Sequence, residues 1–109
     1  MLVTTSTRHG SISDQTRAKL EAKVEKLGRL FDQITAITIK VELENKEKPA
    51  VEVLINQDNG PDIVTSVQTD ELMASMDGAL HKLEMQLRRN KEKTVDRYHA
   101  PGEAIENAE

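Results

Sequence analysis

Long cations recur at helical spacing near the end of this chain. Lys82, Gln86, Arg89 and Lys93 follow one another four, three and four residues apart, beside a run of apolar positions from Leu72 to Leu87. At about 100° per residue, the polar stripe lies roughly 120° from the apolar one. A long cation on the shoulder of a docked helix keeps its charge in water while its stem lies along the protein. This stripe is the chain's best candidate for a functional surface, and its chemistry is the binding of anionic groups.

A second group of cations supports this interpretation. Lys19, Lys23 and Lys26 share one shoulder of an earlier amphipathic segment. A charge run on a helix is usually only a solvated face, and the net charge of −4 argues against a polyanionic partner. The charges are unevenly placed, however, because residues 32–79 carry three cations and ten acids, whereas residues 80–97 carry six cations and three acids. Local field decides what a surface attracts, so two basic shoulders favour a polyanion site.

Composition narrows the classes of protein and of site. A chain of 109 residues is expected to form one domain. The absence of cysteine excludes disulfides and fits a reducing compartment, and we expect a cytoplasmic protein with no secretory signal and no membrane span. Phe31 and Tyr98 are the two aromatic residues, and neither lies on a predicted strand. Proteins that read single strands stack bases on aromatic side chains. The mode of nucleic-acid binding that remains is contact between helix cations and phosphates.

The elements that position these cations follow from periodicity. Apolar residues spaced three and four apart predict two helices, and alternating apolar residues predict strands with one buried face. The expected order is β-α-β-β-β-α, with strands at residues 2–6, 37–44, 51–55 and 63–69, and helices at residues 13–30 and from a cap at Thr69 or Asp70 to about Lys93.

Two single-sided helices must both hide their stripes on one face of the sheet. We therefore predict an α+β domain with a four-stranded, mostly antiparallel sheet at residues 1–95. Residues 96–109 are predicted to be a flexible acidic tail.

No catalytic, cofactor or metal site is recognisable in the sequence. His9, His81 and His99 are scattered, and none is paired at ligand spacing with acids or other histidines. Asp58 and Asp62 flank a turn, where carboxylates usually serve solubility. We expect no cofactor, no metal and no catalytic residues.

Several short motifs resemble a known family. Arg8-His9 follows the first strand, and the first helix carries KVEKL at 23–27 and RLF at 29–31. The second helix carries DELMA at 70–74, KLE at 82–84 and QLRR at 86–89, followed by Lys91. Together, over roughly residues 2–93, these resemble the ribosome hibernation factors, the family of the ribosome-associated inhibitor and the short hibernation-promoting factor.

The resemblance implies a fold, a partner and a site. The fold would be similar to double-stranded RNA-binding domains, with two parallel helices on the sheet. The partner would be the small ribosomal subunit and its 16S rRNA, bound in the channel of mRNA and the A- and P-site tRNAs, so that translation stops in stationary phase or stress. DNA and membranes are not expected partners, and the isolated protein is expected to be monomeric. The implied rRNA contacts are Lys23, Lys26, Lys82, Arg88, Arg89, Lys91 and Lys93, the last supported equally by the stripe.

Two other functions stay open at this point. The protein would be a protein-interaction regulator if an open acidic sheet binds a basic partner, as in relatives labelled modulators of an alternative sigma factor. An enzyme such as a small phosphatase is a third possibility, which lacks a recognisable site. Co-sedimentation with ribosomes separates the first function from the other two.

Overall fold

Alternating apolar residues build one four-stranded sheet in the computed structural model, which describes the backbone of residues 1–96 and the side chains of residues 1–89. The strands lie side by side in chain order, namely β1 (Leu2–Arg8), β2 (Ile34–Glu42), β3 (Ala50–Gln57) and β4 (Ile63–Gln68). β1 pairs parallel with β2, whereas the other two pairings are antiparallel. The predicted β-α-β-β-β-α order and the mostly antiparallel sheet are confirmed.

Two helices complete the fold, α1 (Asp14–Leu30) and α2 (Leu72–Asp96). Ser13 caps α1, because its hydroxyl oxygen accepts a hydrogen bond from the Thr16 N–H at 3.1 Å. The expected cap of α2 at Thr69 or Asp70 is wrong by one or two residues. The Thr69 hydroxyl accepts from the Glu71 N–H at 3.2 Å and so forms a turn before the helix begins.

Both helices cover the same face of the sheet. Ile39, Val53 and Ile55 are fully buried, and they pack in one core with Val24 of α1 and Leu83 of α2. Burial of apolar side chains on one face only is what alternation along β2 and β3 predicts. The α+β class is therefore confirmed, with a mixed sheet and one hydrophobic core.

Contacts between α1 and α2 show that the helices run in the same direction. Lys23 of α1 pairs with Asp77 of α2, and further along both helices Phe31 lies under Arg88. Since both partners advance together along the chain, the helices are parallel. Among residues 1–96, neither helix combines the length and the apolarity needed to cross a membrane.

Three strands extend beyond their predicted bounds: β1, β2 at its start, and β3, which runs over Ala50–Gln57 instead of residues 51–55, whereas β2 ends at Glu42 and not at Glu44. β1 continues to Arg8, which pairs in register with Glu42, so that Arg8 belongs to the sheet and the turn begins at His9. β2 starts at Ile34, before an irregularity between Ile34 and Ala36 that interrupts the alternation. The irregularity explains why alternation alone placed the start of this strand at Ile37.

Candidate nucleic-acid interface

One side of α2 faces away from α1, toward the edge strand β4. A Cβ atom on Gly78 would lie 3.1 Å from a methyl carbon of Val67, so position 78 points toward β4. Positions 82, 86 and 89 follow at helical spacing, which places Lys82, Gln86 and Arg89 along the same side. We call positions 78, 82, 86 and 89 the outer shoulder. Lys82 is exposed and Arg89 is half-buried, and among residues 1–89 neither forms an ion pair.

The opposite side of α2 faces α1, and we call its positions 77, 84 and 88 the inner shoulder. Arg88 donates hydrogen bonds from Nη2 and Nε to Glu84 Oε2, at 2.7 and 3.2 Å. The Arg88 guanidinium also lies 5.8 Å from the centre of the Phe31 ring, within reach of a cation–π contact. Asp77 Oδ1 lies 2.8 Å from Lys23 Nζ. Cations on this shoulder are therefore matched by carboxylates.

The basic shoulder of α1 lies on the side of α2. Lys23 contacts Asp77, and Lys26 is exposed three residues further on. The other side of α1 faces β1, since Glu21 accepts a hydrogen bond from the Thr5 hydroxyl at 2.8 Å. The separation of lysines and glutamates on opposite shoulders of α1, predicted from spacing, is therefore present at Lys23 and Glu21. The basic shoulder of α1 therefore faces α2.

The structure thus divides the predicted contact residues into two groups. Lys26, Lys82 and Arg89 form no ion pair within residues 1–89, whereas Lys23 and Arg88 are paired. The side chains of Lys91 and Lys93 lie outside the described residues.

Sequence reasoning missed the two acids of this interface. The Glu84–Arg88 pair is detectable in the sequence, because residues four apart on a helix are neighbours. The Asp77–Lys23 pair gives no such signal, since the two residues lie on different helices and meet only when those helices pack.

The aromatic residue at this surface is already engaged. Phe31 is half-buried against the core, and Arg88 covers its ring. Tyr98 lies outside the described residues. Within the described part of the chain, no exposed Phe, Tyr or Trp ring is therefore available for stacking with bases, and contact through phosphates is the main chemistry that this surface offers.

Packing brings one histidine next to acids that the sequence did not pair with it. His9 adopts a left-handed backbone conformation (φ 61°) and hydrogen-bonds Glu42. A carboxylate only accepts, so the His9 Nδ1–H is the donor. Glu42 also accepts from the Glu44 N–H at 3.0 Å. These bonds lower the pKa of Glu42 below its usual value, and the His9 bond is the largest cause.

This cluster is explained by the way β1 and β2 end together. His9, Glu42 and Glu44 place possible ligand atoms within 4.8 Å of one another, and Glu42 is engaged by both neighbours. A shallow depression beside it is lined by polar side chains, namely Glu42, Glu44, Asn45, Lys46, Glu47 and Gln68. No nucleophile with an adjacent base lines it, so the depression gives the phosphatase hypothesis no support.

A model of the sigma 54 modulation protein / S30EA ribosomal protein family matches residues 3–95. The chain belongs to this family. It is 30% identical to the ribosome hibernation promoting factor of Azotobacter vinelandii over 97 aligned residues. The aligned region covers 89% of each protein.

Two solved structures share the fold. One is a ribosomal subunit interface protein from Coxiella burnetii, with a TM-score of 0.76 and 27% identity, covering 84% of this chain and 99% of that one. The other is the N-terminal domain of Thermus thermophilus Protein Y, with a TM-score of 0.71 and 25% identity, covering 82% of this chain and 98% of that one. The resemblance to the hibernation factors is confirmed. The S30EA family match also includes every predicted rRNA-contact position.

The open face of the sheet does not have the acidic character that the alternative hypothesis requires. Its charged strand residues are Arg8, Lys40, Glu42 and Glu52, two of each sign. Across the sheet, Arg8 lies opposite Glu42, and Lys40 lies opposite Glu52. The prediction of an open acidic sheet is therefore wrong, because most acids of residues 32–79 lie in loops and near the start of α2.

Proposed function

We propose that this protein is a ribosome hibernation factor that binds the small ribosomal subunit and stops translation in stationary phase or stress. The observation that carries the proposal is the A. vinelandii hibernation promoting factor, at 30% identity over 89% of both chains. The outer shoulder of α2 supplies the means, since Lys82 and Arg89 sit on a side of the helix where no acid occurs between positions 78 and 89.

The proposed mechanism is occupation, and it needs no chemical step. A folded body placed in the channel of mRNA and the A- and P-site tRNAs excludes these ligands sterically. Lys and Arg side chains replace their contacts with the phosphates of 16S rRNA, and such contacts give affinity without reading sequence. The protein acts in the cytoplasm as a monomer and not as an enzyme, and neither DNA nor a membrane is its target.

A sucrose gradient tests the partner directly. Lysate from stationary-phase cells is probed for this protein across the subunit, monosome and paired-ribosome fractions. We expect the protein to sediment with particles that contain the small subunit. Sedimentation at the top of the gradient, together with a protein partner that survives nuclease and high salt, would favour the sigma 54 modulation function in the family's description.

Salt tests the mode of contact. If phosphates supply the affinity, the logarithm of the binding constant for purified small subunits falls linearly with the logarithm of salt. The slope is expected to be about −0.7 to −0.9 per phosphate contact. Binding that does not change with salt would contradict a phosphate interface even if the protein sediments with ribosomes.

A further inference from the structure

We propose that Asp77 and Glu84 withhold Lys23 and Arg88 from nucleic-acid phosphates, so that Lys82 and Arg89 on the outer shoulder of α2, together with Lys26 of α1, are the available part of the basic surface. This inference rests on the proposed function and names the residues that limit its affinity. The two acids are the only ones between Leu72 and Arg89, and both lie on the inner shoulder. Each directly contacts a cation that would otherwise face solvent between the helices.

Lys23 is held by a contact that a phosphate must compete with. Its Nζ atom lies 2.8 Å from Asp77 Oδ1, and the two side chains are 37% and 61% exposed. Exposed ion pairs are weak, so a phosphate can reach Lys23. It then brings its own negative charge close to the Asp77 carboxylate. Two like charges about 4 Å apart in a water-like medium cost about a fivefold factor in affinity. The repulsion cancels most of what Lys23 would add.

Arg88 is held more firmly than Lys23. Two hydrogen bonds join it to Glu84, and the same guanidinium lies over the Phe31 ring. If a phosphate draws Arg88 away, Arg88 loses its contacts with both Glu84 and Phe31 at once. Arg88 therefore orders the junction of the helices, while its charge is largely balanced in place.

Lys82 provides the contrast within the same helix. It is exposed, it forms no ion pair within residues 1–89, and its shoulder faces β4, a strand without any charged residue. A phosphate that approaches Lys82 meets no carboxylate on that shoulder between positions 78 and 89. A lysine ammonium group therefore binds a phosphate more strongly at Lys82 than at Lys23.

The test compares Asp77→Asn with Glu25→Gln in the full chain. Both variants remove one negative charge from an exposed helix position, but Glu25 lies on the shoulder of α1 that faces away from α2. We expect D77N to bind small subunits about two- to fivefold more tightly at about 0.1 M salt, and its salt slope to steepen by about 0.7–0.9. E25Q should change binding less than D77N. Equal gains in D77N and E25Q would overturn the proposal, because net charge alone would then explain them.

A second substitution identifies the cation that is released. Lys23→Gln in the D77N background should return binding to the wild-type value, and Lys23→Gln alone should lose less affinity than Lys82→Gln. A loss at Lys23 equal to that at Lys82 in the wild-type background would show that Asp77 withholds nothing. Glu84→Gln should give a smaller gain than D77N, because Phe31 continues to hold Arg88.

Retention on immobilised heparin, a sulfated polyanion, separates this inference from the proposed function. The same variants are eluted with a salt gradient, and D77N should elute at higher salt than both wild type and E25Q. If wild type fails to bind small subunits but this order holds, the proposed function fails and the inference stands. If wild type binds subunits but D77N and E25Q elute together, the inference fails and the function stands. Failure of every variant to be retained at low salt would also overturn the inference.

Discussion

Leu83 and Lys82 are adjacent in α2 but differ in environment. Leu83 is fully buried in the core beneath the helix, and Lys82 is exposed on the outer shoulder. Individual residues of this helix therefore separate cleanly into those that stabilise the fold and those that are available to a partner. The separation allows a substitution at each position to act on one property.

Leu83→Ala should destabilise the domain by about 2–5 kcal/mol, because the surrounding side chains relax only partly into the cavity that it leaves. That is a large share of the stability expected of a small domain. Lys82→Ala should leave the urea midpoint almost unchanged and weaken binding to small subunits. Equal losses of stability in the two variants would show that the faces of α2 are wrongly assigned.

Glu42 provides a residue-scale prediction about pH. The His9 hydrogen bond lowers its pKa below the ordinary value of 4.5 in the folded state. A carboxyl whose pKa is lowered by folding contributes stability above its unfolded pKa, and this contribution is lost as pH falls through the lowered value. In an NMR titration of the Glu42 carboxyl carbon, the midpoint should lie below 4.5 and should rise in His9→Ala. A midpoint that His9→Ala does not move would exclude the hydrogen bond as the cause.

At the scale of the element, α2 presents two surfaces, one on each side of its buried apolar face. Its inner shoulder is matched in charge and joins α1, while its outer shoulder carries Lys82 and Arg89 and no acid between positions 78 and 89. Cations on both shoulders resemble one another in the sequence, although their neighbours differ. We therefore expect the affinity for a polyanion to depend on which shoulder it meets.

Reversal of the outer shoulder tests this difference. Lys82→Glu with Arg89→Glu should abolish translation inhibition in a purified system, because attractive contacts become repulsive in an anionic channel. The matched control is Lys46→Glu with Lys48→Glu, which changes the net charge equally but lies in the exposed loop between β2 and β3. Inhibition that is retained by the α2 variant, or lost equally in the control, would contradict a role for this shoulder.

At the scale of the whole molecule, charge is separated along the chain. Residues 80–97 carry six cations, whereas residues 98–109 carry three glutamates and neither lysine nor arginine. Residues 97–109 lie outside the described part of the chain, so the flexible acidic tail predicted for residues 96–109 stays a prediction, as does its boundary with residues 1–95. The charge of this segment nevertheless limits its direct role, since glutamates are repelled by rRNA.

Truncation after Arg97 should leave translation inhibition in a purified system nearly intact, because the removed residues add no attraction to phosphates. A full-length variant with Glu103, Glu106 and Glu109 changed to Gln separates charge from length. Loss of inhibition on truncation, with the reversed outer shoulder still active, would move the functional surface to these last residues.

The sequence by itself determined the element order and the faces of most elements. Period-2 alternation at Ile37–Leu43 and helical spacing at Leu20–Leu27 depend only on neighbours within one element, so they survive any tertiary arrangement. The α+β class followed, since two single-sided helices need a common face to cover. The basic shoulders were visible for the same reason, and the family resemblance supplied the proposed partner.

Only the tertiary structure decided which groups meet across elements. Ser75 is fully buried, and its hydroxyl donates to the Pro49 carbonyl at 2.8 Å while accepting from the Thr69 N–H at 2.9 Å. Nothing in the sequence around Ser75 indicates that it joins two loops. Likewise, Asp77 neutralises Lys23 because packing brings α1 and α2 side by side. Spacing reveals the direction of a side chain on its own helix, whereas its partner depends on the rotation and offset of the neighbouring helix, which are set by the shared core.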